Sequence, residues 1–171
     1  MVNSKTVTKE DKKNLEKKLG EVLGLERAAQ KAVDELTSMN LIKLGAKDEA
    51  KEIQNEANSH EEKIQRVISS LSKNKDIELD KDKVEETATE TEQKATTMMK
   101  TYLGENPDTS EAIEFLCLAE GGEVTHYEVL STICQNFDNI ELSSAVSSIL
   151  KEEQEHLRRC LALAKQAVSS V

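Results

Sequence analysis

The sequence predicts an all-α fold, a four-helix bundle of two antiparallel hairpins with an additional helix in the crossover between them. Three observations predict it. The 171 residues include one proline, six glycines, two Phe, two Tyr and no Trp, which leaves few turn-formers and few strand-formers. Apolar residues recur at three- and four-residue steps through long segments. Two of the connections are short, which makes the segments they join antiparallel neighbours. The length suits one domain with a single core, so residues 1–171 read as one unit whose first twelve residues are frayed.

The first helix is expected from Lys9 to Met39, where Leu15, Leu19, Val22, Ala29, Val33 and Leu36 form the apolar stripe. A turn at 40–45 leads to a second helix from Ala46 to Leu71, with Ala50, Ile53, Ala57, Ile64 and Val67 on its stripe. Residues 72–80 read as a connection. The third segment, Lys81 to Leu103, carries a thin stripe of Val84, Ala88, Ala95 and Met98, and is expected outside the bundle or across one end. Residues 104–110 hold the single proline and offer Asp108, Thr109 or Ser110 as an N-cap. A fourth helix from Ser110 to Phe137 and a fifth from Leu142 to Val168 close the chain across the short turn 138–141.

Composition excludes several function classes. A formal charge of −10 disfavours nucleic acid and anionic membranes as partners. The lysines of residues 1–18 are the local exception and read as a solvated helix start. No apolar run approaches a membrane span and no signal peptide is evident, so the expected location is cytoplasmic. Cys117, Cys134 and Cys160 lack metal-knuckle spacing and read as free thiols. Cys117 and Cys160 share a level on the last hairpin, which permits contact, whereas Cys134 lies far from Cys160.

The informative feature is where the stripes break. The first stripe is interrupted at Glu26, the second at His60, the fourth at Glu120 and Glu123, and the fifth at Glu153. An unpartnered carboxylate in a core costs several kcal/mol, on the order of a lost buried ion partner, so something must compensate. The breaks also meet. Glu26 and His60 stand equally far from Lys43 in the first turn, and Glu123 and Glu153 equally far from Asp138 in the second. His126 follows Glu123 by three residues and His156 follows Glu153 by three, a step that puts both side chains on one helix face. Glu26 precedes Glu56 by the spacing that separates Glu123 from Glu153, which looks like an internal duplication. Carboxylates that bridge two divalent cations, with imidazoles as neutral ligands, would remove the cost of burial. The alternative is a metal-free, ion-paired polar layer.

At these residues the chain resembles the ferritin-like, rubrerythrin-like superfamily, and within it the YciF-like stress protein family. The resemblance rests on Glu123-Val-Thr-His126-Tyr127-Glu128 and Glu152-Glu153-Gln-Glu155-His156-Leu157, with Leu25-Glu26-Arg27-Ala28 and His60-Glu61-Glu62-Lys63 in the first hairpin. It implies a homodimeric bundle with two divalent metal ions, iron first and manganese second, and a stress-related role. Ala57 stands where a second Glu-x-x-His would place its carboxylate, so Glu56 either reaches inward from four residues before His60 or is absent from the site. The expected metal ligands are Glu26, Glu56, His60, Glu123, His126, Glu153 and His156, with Glu120 at the mouth of the site or behind a ligand, and Tyr127 either donating its hydroxyl to the site or, the preferred reading, filling the core. The expected partner is a small oxidant such as oxygen or peroxide, which would make the protein an oxidoreductase. The alternative is a non-enzymatic stress or interaction bundle.

Overall fold

A computed structural model describes residues 7–169, apart from the side chains of Leu44, Val168 and Ser169. The described residues form five helices and no strand: α1 (Lys9–Ser38), α2 (Leu44–Leu71), α3 (Lys81–Leu103), α4 (Thr109–Cys134) and α5 (Ile140–Ser169). Every helix start but that of α2, which begins after Lys43 without a side-chain cap, coincides with a side chain that satisfies free N–H groups. The Thr8 hydroxyl accepts from Asp11 N and the Asp11 carboxylate accepts from Thr8 N, a closed capping box. Asp108 and Glu111 repeat it at α4, and Asp80 caps α3. Residues 9–12 are therefore already helical where a frayed start was expected; residues 1–6 lie outside the described residues. Helix α4 ends three residues before the expected Phe137, because Gln135, Asn136 and Phe137 turn back onto the carbonyls of Thr132, Ile133 and Cys134.

Helix α1 packs against α2 and α4, and α5 packs against α4 and α2, so four helices close a ring. Cross-links fix their directions. Tyr127 meets Glu26 while Asn136 meets Asp11, so α4 runs against α1. His60 meets Glu152 while Ser70 meets Glu141, so α5 runs against α2.

Helix α3 lies alongside α1 and runs parallel to it, rather than across an end. Two glycines decide this placement. A Cβ on Gly20 would sit 2.6 Å from the Val84 carbonyl oxygen, and one on Gly24 would sit 2.4 Å from that of Ala88. The helix backbones approach this closely only because both positions lack a side chain. Arg27 then ties three helices together, 2.9 Å from Glu61 on α2 and 2.5 Å from Glu85 on α3.

The apolar core is split into two blocks. One contains Leu15, Leu19, Val22, Ile64, Leu71, Leu130, Cys134, Leu142 and Ile149. The other contains Val33, Leu36, Ile42, Ile53, Ala112, Leu116 and Cys160. A level of buried polar side chains separates them. The three cysteines are free, with Cys134 and Cys160 in opposite blocks and Cys117 half-buried against the second. Among the described residues, no helix is long and apolar enough to cross a membrane.

Two alanine substitutions separate packing from helix propensity. Gly24→Ala should destabilise by about 1–3 kcal/mol, because the new Cβ collides with backbone. Gly121→Ala, where an added Cβ meets nothing within 4 Å, should stabilise by up to about 1 kcal/mol. Thermal denaturation of both variants checks this, and a stabilised Gly24→Ala would contradict the close α1–α3 contact.

Candidate metal centre

The polar level is built by one or two residues from each helix of the ring. It contains Glu26 from α1, His60 from α2, Glu120 and Glu123 from α4, and Glu153 and His156 from α5, none more than 3% exposed. Four carboxylates thus face two imidazoles inside a core that is otherwise apolar. Such groups are rarely fully buried without a partner.

Their donor atoms converge on two places. Glu26, His60 and Glu153 form one group and Glu120, Glu153 and His156 a second, the donor atoms of each lying within 4.8 Å of one another. Glu153 belongs to both. Its Oε1 stands 2.6 Å from Nδ1 of His60 and its Oε2 3.5 Å from Nδ1 of His156. Glu26 Oε1 is 3.4 Å from His60 Nδ1, and Glu120 Oε2 is 3.4 Å from His156 Nδ1. The two imidazoles stack, with centroids 5.6 Å apart and planes inclined by 17°.

Each of these contacts sets a carboxylate oxygen against an imidazole Nδ1: Glu153 and Glu26 share Nδ1 of His60, and Glu153 and Glu120 share Nδ1 of His156. One proton on each Nδ1 cannot serve two carboxylates equally, and Oε2 of Glu26 is buried with no hydrogen bond. Oxygen and nitrogen lone pairs aimed at shared points are a donor set suited to a divalent cation, so the residues present fit the ions expected from the sequence.

The outer edges of the imidazoles are held by a second pair of carboxylates. Nε2–H of His60 donates to Glu152 at 2.8 Å, and Lys63 lies 3.2 Å from the same carboxylate. Nε2 of His156 lies 2.7 Å from Glu56, which also accepts from Arg159 at 2.6 Å. In the neutral imidazole, a proton on Nε2 toward Glu152 leaves the Nδ1 lone pair facing inward, the arrangement metal-bound histidines commonly show.

Two of the expected ligands stand apart from the two trios. Glu56 does not reach in from the position before Ala57; it sits outside His156, at 34% side-chain exposure, held by Arg159. His126 does not join the level either. Its side chain is 33% exposed and faces Lys18 and Glu21 at 3.3 Å, because it projects from α4 toward α1 away from the bundle axis. Burial and the nearby Lys18 charge both lower its proton affinity. Glu26, His60, Glu153 and His156 meet as expected. Glu123 is buried at the same level, but its oxygens join neither trio.

Glu120, expected at the mouth or behind a ligand, stands inside the second trio. Tyr127 takes the less favoured of its two expected roles and donates its hydroxyl to Glu26 Oε1 at 2.6 Å while fully buried. One residue takes a role the sequence reading did not assign. Glu152 holds His60. A signal for Glu152 was present: Glu56-x3-His60-x2-Lys63 on α2 repeats as Glu152-x3-His156-x2-Arg159 on α5. Each outer carboxylate serves the other helix's histidine, and this repeat aligns Glu56 with Glu152 and Ala57 with Glu153.

The electrostatics follow from burial. Burial first, then repulsion from Glu153, pushes Glu26 up to about 7. Burial likewise pushes Glu120 up to about 7, and Glu123 rises further under burial and repulsion from Glu153, Glu120 and Glu26. Burial pulls His60 down, but Glu153 and Glu26 outweigh it and raise the imidazole to about 11; His156 is raised to about 10 by Glu120 and Glu153 in the same way. Glu153, between the two imidazoles, overcomes burial and falls to about 2.

No family model, no curated protein and no solved structure matches the chain.

Glu26 gives this level a measurable pH signature. Below pH 4.5 the carboxyl is protonated in both the folded and the unfolded chain; above it the unfolded chain releases the proton first, and the folded state loses stability until pH passes about 7. In chelator-treated buffer, wild type should lose on the order of 3 kcal/mol relative to Glu26→Gln over that window. Denaturant unfolding at several pH values checks it. A difference that stays flat from pH 4.5 to 8 would show that Glu26 is not held in this environment.

Proposed function

We propose that the polar level is a dinuclear metal centre. Glu26 and His60 serve one ion, Glu120 and His156 serve a second, and Glu153 offers one oxygen to each, with Glu123 as an adjoining carboxylate. The observation that carries this reading is Glu153, buried and shared by both trios, with one oxygen set against Nδ1 of each imidazole. Charge supports it. Two divalent cations balance four carboxylates while both imidazoles stay neutral, which removes the cost of burying the acids.

Mixed carboxylate and imidazole donors suit iron, and after it manganese, and either ion would supply one-electron redox chemistry toward a small oxidant such as oxygen or peroxide. The chain's own residues prepare the site. Glu152 and Glu56 orient the histidines, Tyr127 fixes one oxygen of Glu26, and the apolar blocks above and below exclude bulk water. The resemblance to ferritin-like and YciF-like stress proteins extends the proposal to a stress-related oxidoreductase acting as a homodimer. The antiparallel hairpins and long crossover helix are compatible with that superfamily's bundle.

A second reading has its own support. With both histidines protonated and two of the four carboxyls protonated, the level is neutral without any cation, and the upward displacements of Glu26, Glu120, His60 and His156 favour that state. The protein would then be a non-enzymatic bundle with a polar level that fixes helix register.

Elemental analysis of aerobically purified protein separates the two. The metal reading expects about two ions per chain, falling sharply in Glu153→Ala, and an affinity about 10- to 100-fold weaker at unchanged stoichiometry in Glu152→Gln. Metal-free wild type that takes up no added Fe(II) or Mn(II) would leave the ion-paired level as the account of these residues.

A further inference from the structure

A cleft of about 240 Å³ opens between α1, α3 and α4, on the side of α4 away from the two histidines. Its walls are largely apolar, formed by residues such as Leu25, Ala29, Met99 and Phe115; Lys31 and His126 also reach its lining, and Glu123 stands on it with Gly122 beside it. Met98, Leu118 and Tyr102 also line it and are 68%, 58% and 44% exposed, so three of the most exposed large apolar side chains cluster around one opening. Scattered apolar residues on a surface are ordinary; several around a cleft that touches a buried carboxylate are not.

Gly122 adds an independent observation. Gly20 and Gly24 are required by the close approach of α3, but a Cβ on Gly122 would meet no atom within 4 Å. Glycine in a helix interior costs roughly 0.5–1 kcal/mol against alanine, and no contact within the chain requires it here. Its missing side chain instead keeps the floor of the cleft open next to Glu123.

We propose that this cleft binds an uncharged aromatic molecule of one or two rings, lodged against Gly122 with an edge toward Glu123. A cavity of about 150 Å³ lined by apolar residues accepts benzene, so 240 Å³ has room for a second ring. The Tyr102 and Phe115 rings stand 5.8 Å apart and inclined by 44°, leaving faces and edges for a third ring. Met98 and Met99 supply adaptable thioethers that favour aromatic contact. A charged guest would lose its water against the largely apolar walls. The site goes beyond the metal centre and needs no ion, although its guest would lie beside the carboxylates of that centre.

Methionine methyl NMR tests it directly, since the chain has four methionines and two of them line the cleft. Titrated with indole, protein labelled at the methionine methyls should show saturable shifts of Met98 and Met99 with Kd below about 1 mM, while Met39 stays unmoved. Gly122→Leu, which fills the cleft from its floor, should weaken binding at least about tenfold with the Met39 signal unchanged; Ala119→Leu serves if that variant does not fold. No saturation by about 1 mM, undiminished binding in the filled variants, or Met98 and Met99 shifts that follow protein concentration instead of indole would each overturn the proposal, the last by making the cleft a contact between copies. Metal content is read separately. Indole binding to a metal-free chain leaves the cleft standing, and a metal-loaded chain that ignores indole leaves the metal centre standing.

Discussion

Burial of four carboxylates at one level of an apolar bundle is the constraint on which the rest of this structure depends. Glu26, Glu120, Glu123 and Glu153 are withdrawn from water almost completely. In a low-dielectric core their mutual repulsion and lost hydration cost far more than a typical domain's margin of about 5–15 kcal/mol can absorb unaided. Compensation must come from protons, from the two imidazoles, or from cations. Each of these makes the level a place where chemistry and stability are the same quantity.

The scaffold is arranged around that level. The two apolar blocks hold the four helices together on either side of it, so the polar side chains can sit in fixed positions without carrying the stability of the fold. Helix α3 contributes nothing to the level. Through Gly20 and Gly24 it packs closely on α1 and braces the helix that carries Glu26, and its far half forms one wall of the cleft beside Glu123. The outer carboxylates complete the arrangement. Because Glu56 serves His156 and Glu152 serves His60, α2 and α5 orient each other's histidine, and a slip in their register would disorder both.

Much of this was legible in the sequence, for physical reasons. Long helices with sparse punctuation announce themselves by their periodicity, and turn-centred arithmetic brought Glu26 to His60 and Glu123 to the level of Glu153. Rotation about each helix was harder to read. His126 lies on a position only a little off the α4 stripe, yet that offset turns it toward Lys18 and out of the core. Glu56 was matched to Glu153 by an equal spacing within each hairpin, whereas the longer Glu-x3-His-x2-basic repeat matches it to Glu152. For Tyr127 and Glu120, stripe position fixes which way the residue faces but not where a phenol or a long carboxylate places its last atom. The α3 placement depended on two glycines whose meaning appears only once a second backbone lies against them.

The central claim is that divalent cations, and not protons alone, balance the buried carboxylates. Its most direct test is the thermal unfolding midpoint of chelated protein followed against free Mn(II) concentration. The account predicts a midpoint that keeps rising with the logarithm of free metal once the sites fill, as required of ligands that bind only the folded state, and a Glu120→Gln, Glu153→Gln double variant that barely responds. A wild-type midpoint independent of Mn(II) and Fe(II) across that range would contradict it.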